Sequence, residues 1–233
     1  MEHREANGTF YAVGVGPGDP SLLTLQAVKV LNSCPVIAAP RTKSGKMTAL
    51  DIIRQVIELD GKEVIPLDFT MSRDISEQKN NHTEITEQIT VRLAEGQDVA
   101  MINLGDVSLY ATAGYLLEPI RCAGYSVRCV PGVTSYSAVA AALGQSLAER
   151  DTPVHIIPLL DENWNEVLEL RGTKVFMKPG KRLPSLVAHL RETGRSEKAW
   201  LVSNCGMEGE RIISPLNDCS DKDNYFTIVI VKE

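Results

Sequence analysis

The chain has 233 residues, 43% of them hydrophobic, and a formal net charge of −6 at pH 7. That length and apolar content suit one large domain or two modest ones with a sizeable core. The acidic balance, with no arginine-rich stripe interleaved with aromatics, excludes a general nucleic-acid binder. The apolar runs break well before the roughly 20 residues that cross a bilayer, and the opening MEHREANG has no signal-peptide core, so a cytosolic protein without a membrane partner is expected. Cys34, Cys122, Cys129, Cys205 and Cys219 include no C-x-x-C pair and are expected to be buried thiols. The four histidines, His3, His82, His155 and His189, lack ligand spacing, and no protein-bound metal is expected.

In chain order, a β-rich run at 10–15 enters the glycine loop Gly14-x-Gly16-Pro17-Gly18 and passes through Asp19-Pro20-Ser21 into an amphipathic helix. Asp19 suits the N-cap and Pro20 the first helical position, with Leu22, Leu25, Val28 and Leu31 as the inward stripe. A dinucleotide fingerprint needs a small residue where Asp19 stands and an acid near the end of the second strand, and neither is present. Pro17 also removes an N–H that would face a pyrophosphate. A nucleoside triphosphate loop fails as well, because Gly45-Lys46, Gly61-Lys62 and Gly180-Lys181 are not followed by Ser or Thr. A tight turn with no ligand stays open for the glycine loop taken alone.

A strand at 35–39 leads through the basic loop of Arg41, Lys43 and Lys46 to a helix at 47–59, with Leu50, Ile53, Val56 and Ile57 inward. A loop leaving a strand's carboxyl end lies on the side where open α/β sheets bind ligands, and three solvated charges are the alternative. A strand at 63–67 and a long helix at 76–95 follow, the helix with Ile85, Ile89 and Leu93 spaced by four. The continuous apolar run at 98–104 reads as a strand covered on both faces, ended by Gly105-Asp106. Next come a helix at 115–123, a strand at 126–130, Pro131-Gly132, and a helix at 136–143, where the Thr134 and Ser135 hydroxyls either cap or reach a ligand. The division is placed between residues 123 and 124. Beyond it, strands at 154–158, 173–177, 200–203, 211–214 and 225–231, with helices at 164–170 and 183–193, read as a mixed sheet. The expected fold is therefore two α/β domains, 1–123 with a mostly parallel sheet and 124–233 with a mixed one, and a ligand cleft between them.

V-G-V-G-P-G-D-P-S-L-L-T-L-Q-A at 13–27 closely resembles the opening signature of the tetrapyrrole methylases. Asn103-Leu104-Gly105-Asp106-Val107-Ser108-Leu109-Tyr110, Val130-Pro131-Gly132-Val133-Thr134-Ser135 and Tyr225-Phe226-Thr227-Ile228-Val229-Ile230-Val231 resemble later segments of that family in the right order. The resemblance implies a tetrapyrrole methylase-like fold and S-adenosylmethionine as methyl donor. It implies cofactor contacts at Gly105, Asp106, Val107, Ser108, Leu109, Thr134, Ser135, Met177, Cys205 and Thr227. Met177 offers polarizable apolar contact, with core packing as the ordinary alternative. Cys205 departs from the family pattern, which leaves it a backbone role only. Substrate contacts are expected at Gly16, Pro17, Gly18, Arg41, Lys43 and Lys46. The segment 67–74, Ala39-Pro40-Arg41 and the ending Y-F-T-I-V-I-V-K are most similar to members that methylate carbon 20 of precorrin-2 or of cobalt-factor II, and the family resemblance implies a homodimer. Methylation at another corrin position, or a non-catalytic nucleotide- or porphyrin-binding protein, are the competing readings. No catalytic side chain is nominated.

Overall fold

The computed structural model describes residues 7–72, 74–158, 164–216 and 226–233. The chain divides into two compact units, Met1–Thr134 and Ser135–Glu233. The first holds β1 (Thr9–Gly14), α1 (Leu25–Ser33), β2 (Val36–Pro40), α2 (Thr48–Ile53), β3 (Glu63–Leu67), α3 (Ile75–Ala94), β4 (Val99–Asn103), α4 (Gly114–Cys122) and β5 (Ser126–Val130). The second holds α5 (Ser135–Ala142), β6 (Val154–Pro158), α6 (Trp164–Leu168), β7 (Thr173–Met177), α7 (Leu183–Glu192), β8 (Ala199–Ser203), β9 (Arg211–Ile213) and β10 (Thr227–Val231). Strand β5 lies beyond the expected division at 123/124, yet it pairs in register with β1 and so belongs to the first sheet. Among the described residues no helix is long and apolar enough to cross a membrane.

The first sheet has the order β3-β2-β4-β1-β5, with every pairing parallel. Side chains alternate across a strand, so each strand feeds two cores. Phe10, Ala12, Val36, Ala38, Val99 and Met101 pack on one face with Ile85, Ile89 and Leu93 of α3 and Leu116 and Ile120 of α4. Val13, Ile37, Ala39, Ala100 and Ile102 pack on the other face with Ala27 and Leu31 of α1 and Leu50 and Ile53 of α2. Covering both faces is why β4 reads as an unbroken apolar run.

The second sheet has the order β6-β7-β10-β8-β9. Strands β6 and β7 are parallel, whereas β10 runs antiparallel to both β7 and β8. One face packs Phe176, Leu201, Val229 and Val231 against Leu168 of α6 and Leu183, Leu186, Val187 and Leu190 of α7.

Three expectations change. Asp19 caps only the short 3₁₀ turn Pro20–Leu22, and α1 starts later, capped by Thr24, whose Oγ1 accepts the Ala27 N–H at 3.1 Å. Its phase therefore turns Leu25 outward, 89% exposed, while Leu31 is fully buried. Helix α2 stops at Ile53 instead of running to 59, which leaves Val56 exposed although Ile57 remains inside. Of the cysteines, Cys34 and Cys205 are buried but Cys122 and Cys129 are exposed; Cys219 lies outside the described residues.

Leu31→Ala is expected to lower unfolding stability by about 2–5 kcal/mol through the cavity it leaves. Leu25→Ala, drawn from the same expected stripe, should stay within roughly 0.5 kcal/mol of the parent. Urea denaturation of the two variants checks both values.

Candidate functional site

In a parallel sheet all carboxyl ends emerge together, and five loops leave the first sheet on that edge. They carry Gly16, Pro17 and Gly18 after β1, Arg41, Lys43 and Lys46 after β2, Asp68 after β3, Gly105 to Leu109 after β4, and Thr134 after β5. The sequence therefore brings the expected substrate residues and six of the expected cofactor residues to one edge.

The edge is held by backbone packed on backbone. A Cβ added to Gly14 would lie 2.7 Å from both the Gly105 carbonyl oxygen and the Gly132 nitrogen. One added to Gly132 would overlap the Gly105 oxygen and come within 2.8 Å of the Gly14 carbonyl carbon. Gly16 and Gly105 exchange both backbone hydrogen bonds, at 3.2 and 2.8 Å, so the polar groups of Gly16 serve the fold. Gly105 has φ +70°, a left-handed conformation suited to glycine.

Asp106 clasps this contact. One carboxylate oxygen accepts the Gly132 N–H at 2.8 Å, and the other accepts the Ser108 N–H at 2.9 Å and the Ser108 hydroxyl. Burial alone would raise its pKa, but the bonds from Ser108, Gly132 and Val107 together outweigh burial and hold the carboxyl below its ordinary value. Val107 turns its side chain into the core and its N–H to Asp106, which leaves its carbonyl for any ligand, while Ser108 is exposed. Thr24 Oγ1 donates to the Pro131 carbonyl at 3.3 Å, tying the glycine loop's exit to the turn after β5.

Sequence reading passed over the side chain of Asn103. Buried at the end of β4, it donates to the Met101 carbonyl at 3.1 Å and accepts the Ala113 N–H at 3.2 Å, fixing the loop that carries Gly105 to Leu109. The available signal was an amide closing an otherwise apolar strand.

The three cations of the basic loop are not alike. Arg41 donates to Asp68 through Nε at 2.9 Å and pairs with it through a second nitrogen, so its charge is already matched. Lys43 and Lys46 are exposed and form no ion pair among the described residues. Thr42 closes the loop, its N–H reaching the Lys46 carbonyl at 2.9 Å and its Oγ1 accepting the Lys46 N–H at 3.0 Å.

The remaining expected cofactor residues gather on the second sheet, apart from Ser135 at the start of α5. Because β10 runs antiparallel between β7 and β8, its first residue, Thr227, pairs with Ser203, and Ile228 pairs with Met177. Met177, Thr227 and the turn carrying Cys205 thus share one sheet end. The Ser203 and Thr227 hydroxyls are buried and 2.8 Å apart. Their mutual bond uses one of two hydroxyl hydrogens, and the other remains able to donate. Burial, assisted by Glu210, pushes the Cys205 thiol up to about 11, so it is neutral at pH 7 and not a thiolate nucleophile. Lys178 and Asn204, just past β7 and β8, have φ of +52° and +54°, and such strained residues concentrate at functional sites. Among the described residues, no three His, Cys, Asp or Glu side chains gather as a metal group.

Asp106→Asn replaces an acceptor oxygen with a donor and is expected to cost about 1–3 kcal/mol near neutral pH. The native carboxylate's folded pKa is depressed, so its contribution is present above the ordinary carboxylate range and lost as pH falls through the folded value. Denaturation curves from pH 7 downward should therefore show the parent and variant converging in acid. A constant gap would assign the loss to shape alone.

A model of the Tetrapyrrole (Corrin/Porphyrin) Methylases matches residues 9–219. The cobalt-precorrin-2 C(20)-methyltransferase of Salmonella typhimurium is 31% identical over 232 residues, 97% of each chain. A probable cobalt-precorrin-2 C(20)-methyltransferase of Methanocaldococcus jannaschii is 38% identical over 226 residues, 95% of each chain. A uroporphyrin-III C-methyltransferase from Thermus thermophilus, solved with S-adenosylhomocysteine, shares the fold at TM-score 0.71 and 21% identity, covering 97% of this chain and 98% of that one. With the family model spanning both units and the strand-end segments in place, the chain belongs to the tetrapyrrole methylases.

Proposed function

We propose that the protein is an S-adenosylmethionine-dependent C-methyltransferase of cobalamin biosynthesis, acting on carbon 20 of precorrin-2 or cobalt-factor II. The observation that carries this reading is similarity along nearly the full length to relatives named for that carbon. The proposed cofactor residues are Gly105, Asp106, Val107, Ser108, Leu109, Thr134, Ser135, Met177, Cys205 and Thr227. Their chemistry fits the donor. They offer backbone groups, one unspent hydroxyl hydrogen at the Ser203–Thr227 pair, a polarizable methionine and a neutral thiol.

When bound, S-adenosylmethionine supplies an electrophilic methyl on its sulfonium sulfur. Bound there, it would pass that methyl to the ring carbon as the carbon–sulfur bond breaks, leaving S-adenosylhomocysteine, and the ring carbon's proton would go to water. The protein's contribution is alignment. The Asp106 clasp holds the Gly105–Leu109 turn still, and the paired hydroxyls hold the start of β10. Gly16, Pro17, Gly18, Arg41, Lys43 and Lys46 are the proposed substrate residues. With Arg41 matched by Asp68, Lys43 and Lys46 are the loop's cations for a polycarboxylate tetrapyrrole. The working form is a cytosolic homodimer. Support for dimerisation comes from the second sheet being open, with edges at β6 and β9 that a partner would cover.

Incubation with methyl-labelled cofactor and either precorrin-2 or cobalt-factor II, followed by mass spectrometry and NMR, should show one label at carbon 20. Label at another carbon, or none, would overturn the assignment. Replacing Lys43 and Lys46 by Gln should raise substrate KM about fivefold, the equivalent of roughly 1 kcal/mol, with cofactor affinity unaltered. Sedimentation equilibrium at micromolar concentration should return the dimer mass, and a monomer there would remove the dimer from the proposal.

A further inference from the structure

Lys174, the second residue of β7, is only 4% exposed and pairs with Val231 of β10. The alternation of β7 places it on the face that carries Phe176, Val229 and Val231, where a hydrophobe is expected. Among the described residues its ammonium has no hydrogen-bond partner and no carboxylate within 4.0 Å. A buried charge left unpaired is costly unless something compensates it.

The space beside it suggests what does. Lys174 lines a cavity of about 330 Å³ together with Arg195, Lys198 and Lys232, and the acids there are Glu169 and Glu233. Both acids have other duties. Glu169 accepts from Arg195 at 2.8 Å, and Glu233 accepts the Gly172 N–H at 2.5 Å. With Arg195 and Glu169 paired to each other, Lys174, Lys198 and Lys232 share the cavity with Glu233. Burial lowers the pKa of Lys174, as does Arg195, while Glu233 and Glu169 oppose that shift. The cavity is at the Val231 end of β10, whereas Met177, Ser203 and Thr227 meet at its other end, ~13 Å along the strand.

We propose that this cavity binds a small multiply charged anion of the phosphate class, either free phosphate or a phosphate monoester, with Lys174 as its central contact. Several ammonium donors around one cavity suit a tetrahedral oxyanion, whose oxygens each accept charge-assisted hydrogen bonds. The volume admits a phosphate with an attached organic group. Binding adds negative charge beside Lys174 beyond that of Glu233 and Glu169 and stabilises the folded state by linkage. Nothing in the proposal depends on methyl transfer.

The test follows thermal unfolding and calorimetry of the whole chain at constant ionic strength, titrating orthophosphate and, separately, glycerol 3-phosphate against chloride. A saturable rise in Tm with orthophosphate alone identifies free phosphate, and a rise with both identifies a monoester-tolerant site. Lys174→Met removes a buried charge whose desolvation outweighs its attraction to Glu233 and Glu169, so it should melt above the parent in chloride and show no response to either anion. Lys198→Gln, at an exposed position, should fold normally and weaken phosphate binding about tenfold. It decides the matter if the Lys174 variant fails to fold. S-adenosylhomocysteine affinity should be the same in parent and variants. Absence of a saturable response in the parent, or a Lys198→Gln or Lys174→Met response equal to the parent's, would overturn the proposal.

Discussion

The structure of the first unit turns on a contact that only glycine permits. Gly14, Gly105 and Gly132 end or follow three neighbouring parallel strands, and their backbones meet where a single methyl group would collide. With no side chains to keep the strand ends apart, polar backbone groups come within reach of one carboxylate, and Asp106 takes the Gly132 and Ser108 N–H groups together. The Gly16–Gly105 exchange adds the loop after β1 to the same assembly. Two glycines of the most conspicuous motif thus serve strand packing first. Ligand approach is left to the turn that Asp106 holds in place.

Much of this fold is legible because burial on both faces writes a plain signal. Strand β4 is an apolar run, and α3 shows its four-residue spacing together with an Asp74 cap that accepts the Ser76 N–H at 2.7 Å. Capping grammar is more ambiguous where two caps compete. Asp19-Pro20 and Thr24 each begin a helical turn in good form, and the choice between them rests on whether the chain continues past Leu22. That is a tertiary matter, since the loop's exit is tied to Pro131, more than a hundred residues later. The error in phase is small in sequence but reverses the environment of Leu25.

The site is legible in segments and not in their arrangement. Met177, Cys205 and Thr227 stand tens of residues apart, and nothing in their spacing says that β10 inserts antiparallel between β7 and β8. That insertion alone makes the ends of β7 and β8 flank the start of β10. The left-handed backbones at Lys178 and Asn204 follow from the same geometry, as the chain turns away at once after each flanking strand. Asn204 is anchored there by its N–H to the Phe226 carbonyl at 3.0 Å. Asparagine tolerates that conformation, but lysine does so at a cost that the surrounding structure must offset.

Charge shows the same limit. A basic loop on an acidic chain invites a reading in which every cation is available, yet Asp68 at the end of the adjacent strand takes the guanidinium of Arg41. Strand order decides that pairing, because β2 and β3 are neighbours and their parallel exits bring the two loops together. Conversely, Lys174 carries no sequence signal beyond a lysine within a short apolar strand. Its meaning appears only when alternation turns it inward and the facing elements bring more positive charge than negative. In both cases the net charge of the chain says little, since neighbours within a few ångströms outweigh a distant field screened by salt.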